Sequence, residues 1–263
     1  MRPTVGHAVQ LRALWPLPLG PALAVLGWHR IDTDGGSLAV SPARFERQIA
    51  ILDGGRHENP VLSIGEARAL LATPSSRARG VVLTFDDAWA DNHANALGPL
   101  AAHRLPATLY APSRLLGTPG YMTRSHVLEM AAAGIAIGAH SRTHADLRAC
   151  GRDDLEREVR GSKDDLEDLT GRAVTSFAYP VGLLNESVVQ AVAAAGFTSA
   201  MTTRHGWWRP TTDLLQIPRG FAENFSERTF AAAARGGLNV LGPIGAIRQR
   251  ARREGEACES SSP

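Results

Sequence analysis

The chain has 263 residues, of which 44% are hydrophobic and 21% charged, and its formal net charge at pH 7 is +2. That is enough apolar material for one α/β barrel or two small domains. The small net charge, with arginines scattered apart from one C-terminal cluster, weighs against a nucleic-acid or membrane partner. Two cysteines, Cys150 and Cys258, lie too far apart in sequence to suggest a disulfide framework or a cysteine metal site.

Residues 11–28, "LRALWPLPLGPALAVLGW", are apolar behind Arg2 and Arg12, in the manner of a secretion signal. Pro16, Pro18 and Pro21 break any helix there, and no run of about 20 uninterrupted apolar residues exists, so no spanning helix and no stable membrane insertion are expected. The compartment stays open between cytoplasmic, slightly favoured, and periplasmic or secreted. An N-terminal extension over 1–20, a folded domain over 21–238 and a basic, partly disordered tail over 239–263 are the expected divisions.

Strands and helices then alternate. "ALAVLGWH" (22–29) reads as a strand and "SPARFERQIAILD" (41–53) as a helix, with Ser41 as N-cap and Pro42 at the first helical position. A helix over 64–72 leads into "GVVLTF" (80–85), a buried strand, followed by a helix over 91–103 and the strand "ATLYA" (107–111). A helix over 124–134, ended by Gly134, precedes the short strand "IAIG" (135–138). In "DDLEREVRGSKDDLEDLTG", Leu155, Val159, Ser162, Leu166 and Leu169 recur at spacings of four, three, four and three, which puts them on one helix face closed by Gly171. Strands at 175–179, 198–202 and 214–217 and helices at 186–196 and 227–236 complete the pattern. About seven strands interleaved with helices predict a distorted, single-domain (β/α) barrel with a parallel sheet.

In such a barrel the C-terminal strand ends carry the active site. Asp86 and Asp87 follow one strand, and "IGAHSRTH" follows another, placing His140 and His144 four residues apart. A lone Asp pair after a strand is otherwise a helix cap and a solvated charge. Two histidines at that spacing, in a helix or tight turn, reach one cation, and one carboxylate completes a site with open positions. The zincin pattern of the same spacing carries its base, a Glu, beside the first His, whereas Ser141 stands there. The Asp pair can supply both a ligand and a base.

"TFDD" (84–87), "HSRTH" (140–144) and "FAYPVG" (177–182), in this order and separation, resemble the polysaccharide deacetylases, the metal-dependent carbohydrate esterases that share the chitooligosaccharide deacetylase homology domain. The likeness runs from about Val25 to Arg219. It implies a catalytic domain that removes N-acetyl groups from N-acetylated sugars of a polysaccharide or oligosaccharide. It also implies Asp87, His140 and His144 as ligands of one divalent metal, zinc before cobalt, nickel or iron, and Asp86 as the base that deprotonates the attacking water. The backbone N–H of Tyr179 stands in the position of the family's oxyanion donor, with a packed aromatic as the plain alternative. Trp89, Tyr179 and Pro180 are the implied sugar contacts. Trp28, Trp207 and Trp208 can also stack on sugars, although tryptophans are as often core.

Two departures stand out. The family's third motif has an Arg that orients the catalytic Asp, and Phe177 and Ala178 occupy that region here; Arg219 in "LQIPRG" is the candidate replacement, unless it is a surface residue. The late Leu-x-His motif that supplies the general acid is also missing, and His205 does not fit it. Members acting on poly-N-acetylglucosamine exopolysaccharides look permuted, with the acid on a first strand. His29 in "VLGWHRI" matches that place, and "SPARFERQIAIL" and "GYMTRSHVLEMAAAGIAIGAHSRTH" resemble the same subgroup. The rival readings are hydrolysis of a small N-acyl or N-formyl sugar conjugate, and a sugar-binding module that has lost catalysis.

Overall fold

Every residue of "AVLGW" and of "VVLTF" is buried, the pattern of strands covered on both faces. These segments, β1 (Ala24–Trp28) and, after two short strands described below, β4 (Val81–Phe85), pair in parallel with register Ala24 to Val81 through Trp28 to Phe85. A computed structural model describes residues 20–234 except 35, 74–77 and 224. The extension before Gly20 and the tail expected over 239–263 lie outside the described residues.

The sheet continues through β5 (Thr108–Ala111), β6 (Ala136–Ala139), β7 (Ser176–Ala178) and β8 (Ser199–Met201), and on the other side of β1 through β9 (Gly220–Phe221). The seven strands lie in the order β8-β7-β6-β5-β4-β1-β9, with every pairing parallel. The expected barrel is therefore a single curled sheet with helices on its outer face. The strand expected at 214–217 is instead a single bridge, Met201 to Ile217, with Ala200 N donating to Leu214 O at 2.7 Å and Thr202 N to Ile217 O at 2.9 Å. Pro218 interrupts it, and the strand proper is β9. This segment ties the β8 edge to β9 and so draws the sheet's two edges together.

Side chains of a strand alternate between faces, and here each set joins its own cluster. Leu26, Leu83, Leu109, Phe177 and Ala200 pack outward, whereas Val25, Val82, Tyr110, Ala178 and Met201 meet inside with Trp208 and Ile217. The helices are α1 (Pro42–Gly54), α2 (Ile64–Leu71), α3 (Ala90–His103), α4 (Arg124–Ala132), α5 (Arg152–Thr170), α6 (Glu186–Ala194) and α7 (Glu227–Ala234); α2 sends Ala67 and Leu71 into the inner cluster, and the others form the outer layer. Ser41 precedes α1 without a side-chain cap bond; Ser63 and Glu66 form a capping box at α2. On α5, Leu155, Val159, Ser162 and Leu166 are buried and Gly171 ends the helix at φ 64°. A short parallel pair that the sequence did not announce, β2 (Arg30–Ile31) and β3 (Ala39–Val40), covers the chain leaving β1.

Candidate metal centre

The β4 ladder runs one residue past the strand, with Asp86 N donating to Trp28 O at 2.9 Å, so alternation turns Asp86 to the inner side. The chain then bends sharply through Asp87 (φ 70°) and Ala88 (φ 54°) into α3. Two successive non-glycine residues in the left-handed region are costly, and such strain collects at functional sites. Two strands away, His140 N donates to Ala111 O at the end of β6. "HSRTH" is a tight turn, with Ser141 and His144 both left-handed (φ 60° and 61°) and His144 N bonded to Ser141 Oγ at 2.9 Å. Glu158 on α5 holds this turn from outside, accepting from Arg142 N, Thr143 N and Thr143 Oγ1 at 2.8–2.9 Å.

These turns bring Asp87 Oδ1 to 3.4 Å from His140 Nε2 and 3.3 Å from His144 Nε2. His140 Nδ1 lies 2.7 Å from Ala178 O; because a carbonyl only accepts, Nδ1 carries the proton and Nε2 presents its lone pair. Asp87 Oδ1 is buried and has no hydrogen-bond partner among the described residues, while Oδ2 accepts from Trp89 Nε1 at 3.1 Å. An orphaned buried carboxylate oxygen facing two imidazole nitrogens fits a cation. Donors about 2.0–2.1 Å from one tetrahedral ion sit about 3.3 Å from each other. Among the described residues this is the one such cluster of three.

Two further devices adjoin it. Arg219 is fully buried and forks onto Asp86, Nη1 donating to Oδ1 at 2.7 Å and Nη2 to Oδ2, while its Nε donates to Thr202 O at 3.0 Å. Burial alone pushes the Asp86 carboxyl up, but Arg219 and the nearby His140 and His29 outweigh it and hold it below the usual range. His29, just past β1, bonds through Nδ1 to Glu223 Oε1 at 2.7 Å and stacks on Phe221 with centroids 4.5 Å apart. Burial disfavours its charged form, yet the Glu223 carboxylate, with Asp86 and Asp87 in support, raises its pKa above the ordinary histidine value. Asn92 on α3 fixes the backbone here, donating to His29 O at 2.9 Å.

Other expectations are corrected. The backbone N–H of Tyr179 donates to Met201 O at 3.2 Å, continuing the β7–β8 ladder, so it is not free to face an oxyanion. The Tyr179 side chain is fully buried with its hydroxyl on Leu215 O, and Pro180 is buried too, so neither side chain offers a sugar contact. Trp28, Trp207 and Trp208 are core residues. Trp89 is half-buried and stacks on Tyr121, with centroids 4.5 Å apart and 20° between planes. Glu223 and Glu158 were missed by sequence reasoning; the one signal for Glu223 was an acidic residue soon after a late apolar pair.

A sequence model of the polysaccharide deacetylase family matches residues 74–200. A Bacillus subtilis protein with a provisional polysaccharide deacetylase name is 29% identical over 187 residues, 70% of this chain and 65% of that one. A Sinorhizobium fredii chitooligosaccharide deacetylase is 31% identical over 142 residues, 52% of this chain and 64% of that one. The chain thus spans just under two thirds of the length of the curated relatives it matches. A Streptococcus pyogenes deacetylase solved with acetate superposes with a TM-score of 0.75 at 25% identity, covering 82% of this chain and 99% of that one. The fold, the matched motifs and the Asp-His-His cluster agree in making the chain similar to the polysaccharide deacetylases, over residues 74–200 at the level of sequence.

Proposed function

We propose that this chain is a metal-dependent hydrolase that removes N-acetyl groups from N-acetylated sugars of a polysaccharide or oligosaccharide, with its catalytic domain over 21–238. The observation that carries the reading is the convergence of Asp87, His140 and His144 between two separate proton-handling pairs, Asp86 with Arg219 and His29 with Glu223. The deacetylase names of the relatives point the same way. Two imidazoles and one carboxylate suit zinc, with cobalt, nickel and iron sharing the preference, and the carboxylate oxygen stands from each imidazole nitrogen at the separation expected of ligands on one such ion. A divalent cation held there polarises the acyl carbonyl and acidifies water.

The chain's own residues do the rest. Asp86, kept ionised by Arg219, uses lone pairs that the guanidinium fork leaves free to take a proton from the attacking water. His29, whose pKa the Glu223 partner raises, presents Nε2 to the departing sugar amine and gives it a proton. Its place on the first strand favours, among N-acetylated polymers, the poly-N-acetylglucosamine exopolysaccharides.

The test is acetate release from a panel of N-acetylated oligosaccharides with and without chelator, together with metal content by mass spectrometry. Asp86→Asn should keep near-stoichiometric metal and lose turnover; Asp87→Asn should lose metal as well. No acetate release from any of the panel, or equal metal retention in both variants, sinks the reading.

A further inference from the structure

The indole of Trp89 is bonded to the one oxygen of Asp87 that faces away from the two histidines. We propose that Trp89 is a positioning residue for the cation site: its N–H occupies Asp87 Oδ2 and keeps Asp87 a one-oxygen ligand through Oδ1. The inference rests on the reading that Asp87 holds a cation, and goes beyond it by assigning the residue that fixes how.

A carboxylate can offer a cation either one oxygen or both. Nothing in the three-residue cluster itself decides between these, because Asp87 sits on a bend where a small rotation would exchange its oxygens. Trp89 decides it. Indole is a donor only, so its N–H favours the oxygen that carries no cation. The ring cannot follow a rotating carboxylate, since Tyr121 is stacked on it and the Arg30 guanidinium lies 5.1 Å from its centroid. The backbones of Trp89 and Tyr121 are bridged, and Ala90 N donates to Gly120 O at 2.9 Å. Gly120 is at φ 89°, and a Cβ there would lie 3.4 Å from the indole edge. The donor is therefore held by strand-like pairing and ring stacking, and the same stacking takes up ring surface that the sequence had offered to a sugar. His140 has the matching arrangement, its second nitrogen engaged by Ala178 O. Partners of this kind are worth about 10- to 100-fold in metal affinity.

The test measures zinc affinity of the full chain by competition with a chromophoric chelator, and coordination by the visible spectrum of the cobalt-loaded protein. Trp89→Phe keeps a stacking ring and removes only the N–H; it should weaken zinc binding about 10- to 100-fold and change the cobalt spectrum toward higher coordination number. Tyr121→Leu, which loosens the ring but leaves the N–H, should lose less. Unchanged affinity in Trp89→Phe, or equal losses in the two variants, overturns the inference. Should Trp89→Phe fail to fold, the indole N–H resonances decide. Asp87→Ala must shift one tryptophan signal, and no shift overturns the inference too. Failure of the unmodified protein to bind zinc or cobalt at all is a different result, which removes the metal reading itself.

Discussion

Protonation at this site is set by pairs of residues from distant parts of the chain. His29 is buried enough to favour the neutral ring, and Glu223 reverses that preference. Glu223→Gln keeps the shape and removes the charge, so burial dominates again and the His29 pKa falls. If His29 must be protonated to act, the alkaline limb of kcat/KM moves to lower pH in that variant while metal content stays the same; a limb that does not move shows that Glu223 does not tune His29. Arg219 poses the complementary case. Removing it leaves the Asp86 carboxylate buried without its partner, which costs about 3–5 kcal/mol in comparable pairs. Arg219→Ala should therefore lower the denaturant midpoint as well as kcat, and Arg219→Lys should recover only part of both because an ammonium cannot fork onto two oxygens. Unchanged stability in Arg219→Ala would mean that Asp86 is not held as its geometry suggests. The short motifs around Asp86, Asp87, His140 and His144 were legible because each lies within a few residues of a strand end. Arg219 was legible only as a candidate, and Glu223 only as an acidic residue after a late apolar pair, with nothing to tie it to His29. Its partner lies 194 positions away, and sequence carries no record of that contact.

At the level of elements, α5 does more than cover the sheet. Its Glu158 accepts three hydrogen bonds from the turn that carries both histidines. Glu158→Ala leaves Arg142 N and Thr143 N without that partner, so amide exchange should accelerate at residues 142–143 and zinc affinity should drop; Glu158→Gln, which still accepts, should do less. Equal exchange in Glu158→Ala and the parent would remove α5 from the account. The sheet is equally specific at Gly138. A Cβ there would lie 2.5 Å from the Tyr110 ring and 3.1 Å from Ser176 O. Tyr110 cannot yield, being fully buried with its hydroxyl on Ser176 Oγ. Gly138→Ala should cost about 1–3 kcal/mol, read from denaturant unfolding; no loss would mean the inner face is looser than its packing implies. Helices were the most legible elements because α5 and its like carry a clear 3.6-residue period. The strand expected at 214–217 was displaced to β9 because Pro218 separates two short pairing segments, and apolar content alone does not say which of them joins β1. Tyr179 was misread for a related reason, since a residue at a strand end can continue the ladder or leave it.

For the whole molecule, the same pairs make stability depend on pH. The Asp86 pKa is lowered on folding, so its contribution is present above the unfolded value of about 3.9 and is lost as pH falls through the folded value. His29 has the opposite sign: its raised pKa stabilises the fold below about 6.5, and that is lost as pH rises through the folded value. Melting of the metal-free protein should thus weaken at both ends, below about pH 4 and above neutrality, and Glu223→Gln should flatten the upper flank alone. A parent and Glu223→Gln that lose stability equally above neutrality would disprove the coupling. The closure of the sheet, with β1 held between β4 and β9, also sets an order of assembly during synthesis. Once Ala178 has emerged, the three candidate ligands and the groups that hold them, Glu158 and Ala178 O, are all present, yet Arg219 and Glu223 are still unmade. At about 5–20 residues per second, several seconds separate a nascent chain able to capture a cation from one able to move protons. On the proposed reading, a chain stalled in that interval should bind the cation and release no acetate, its first strand waiting for its last.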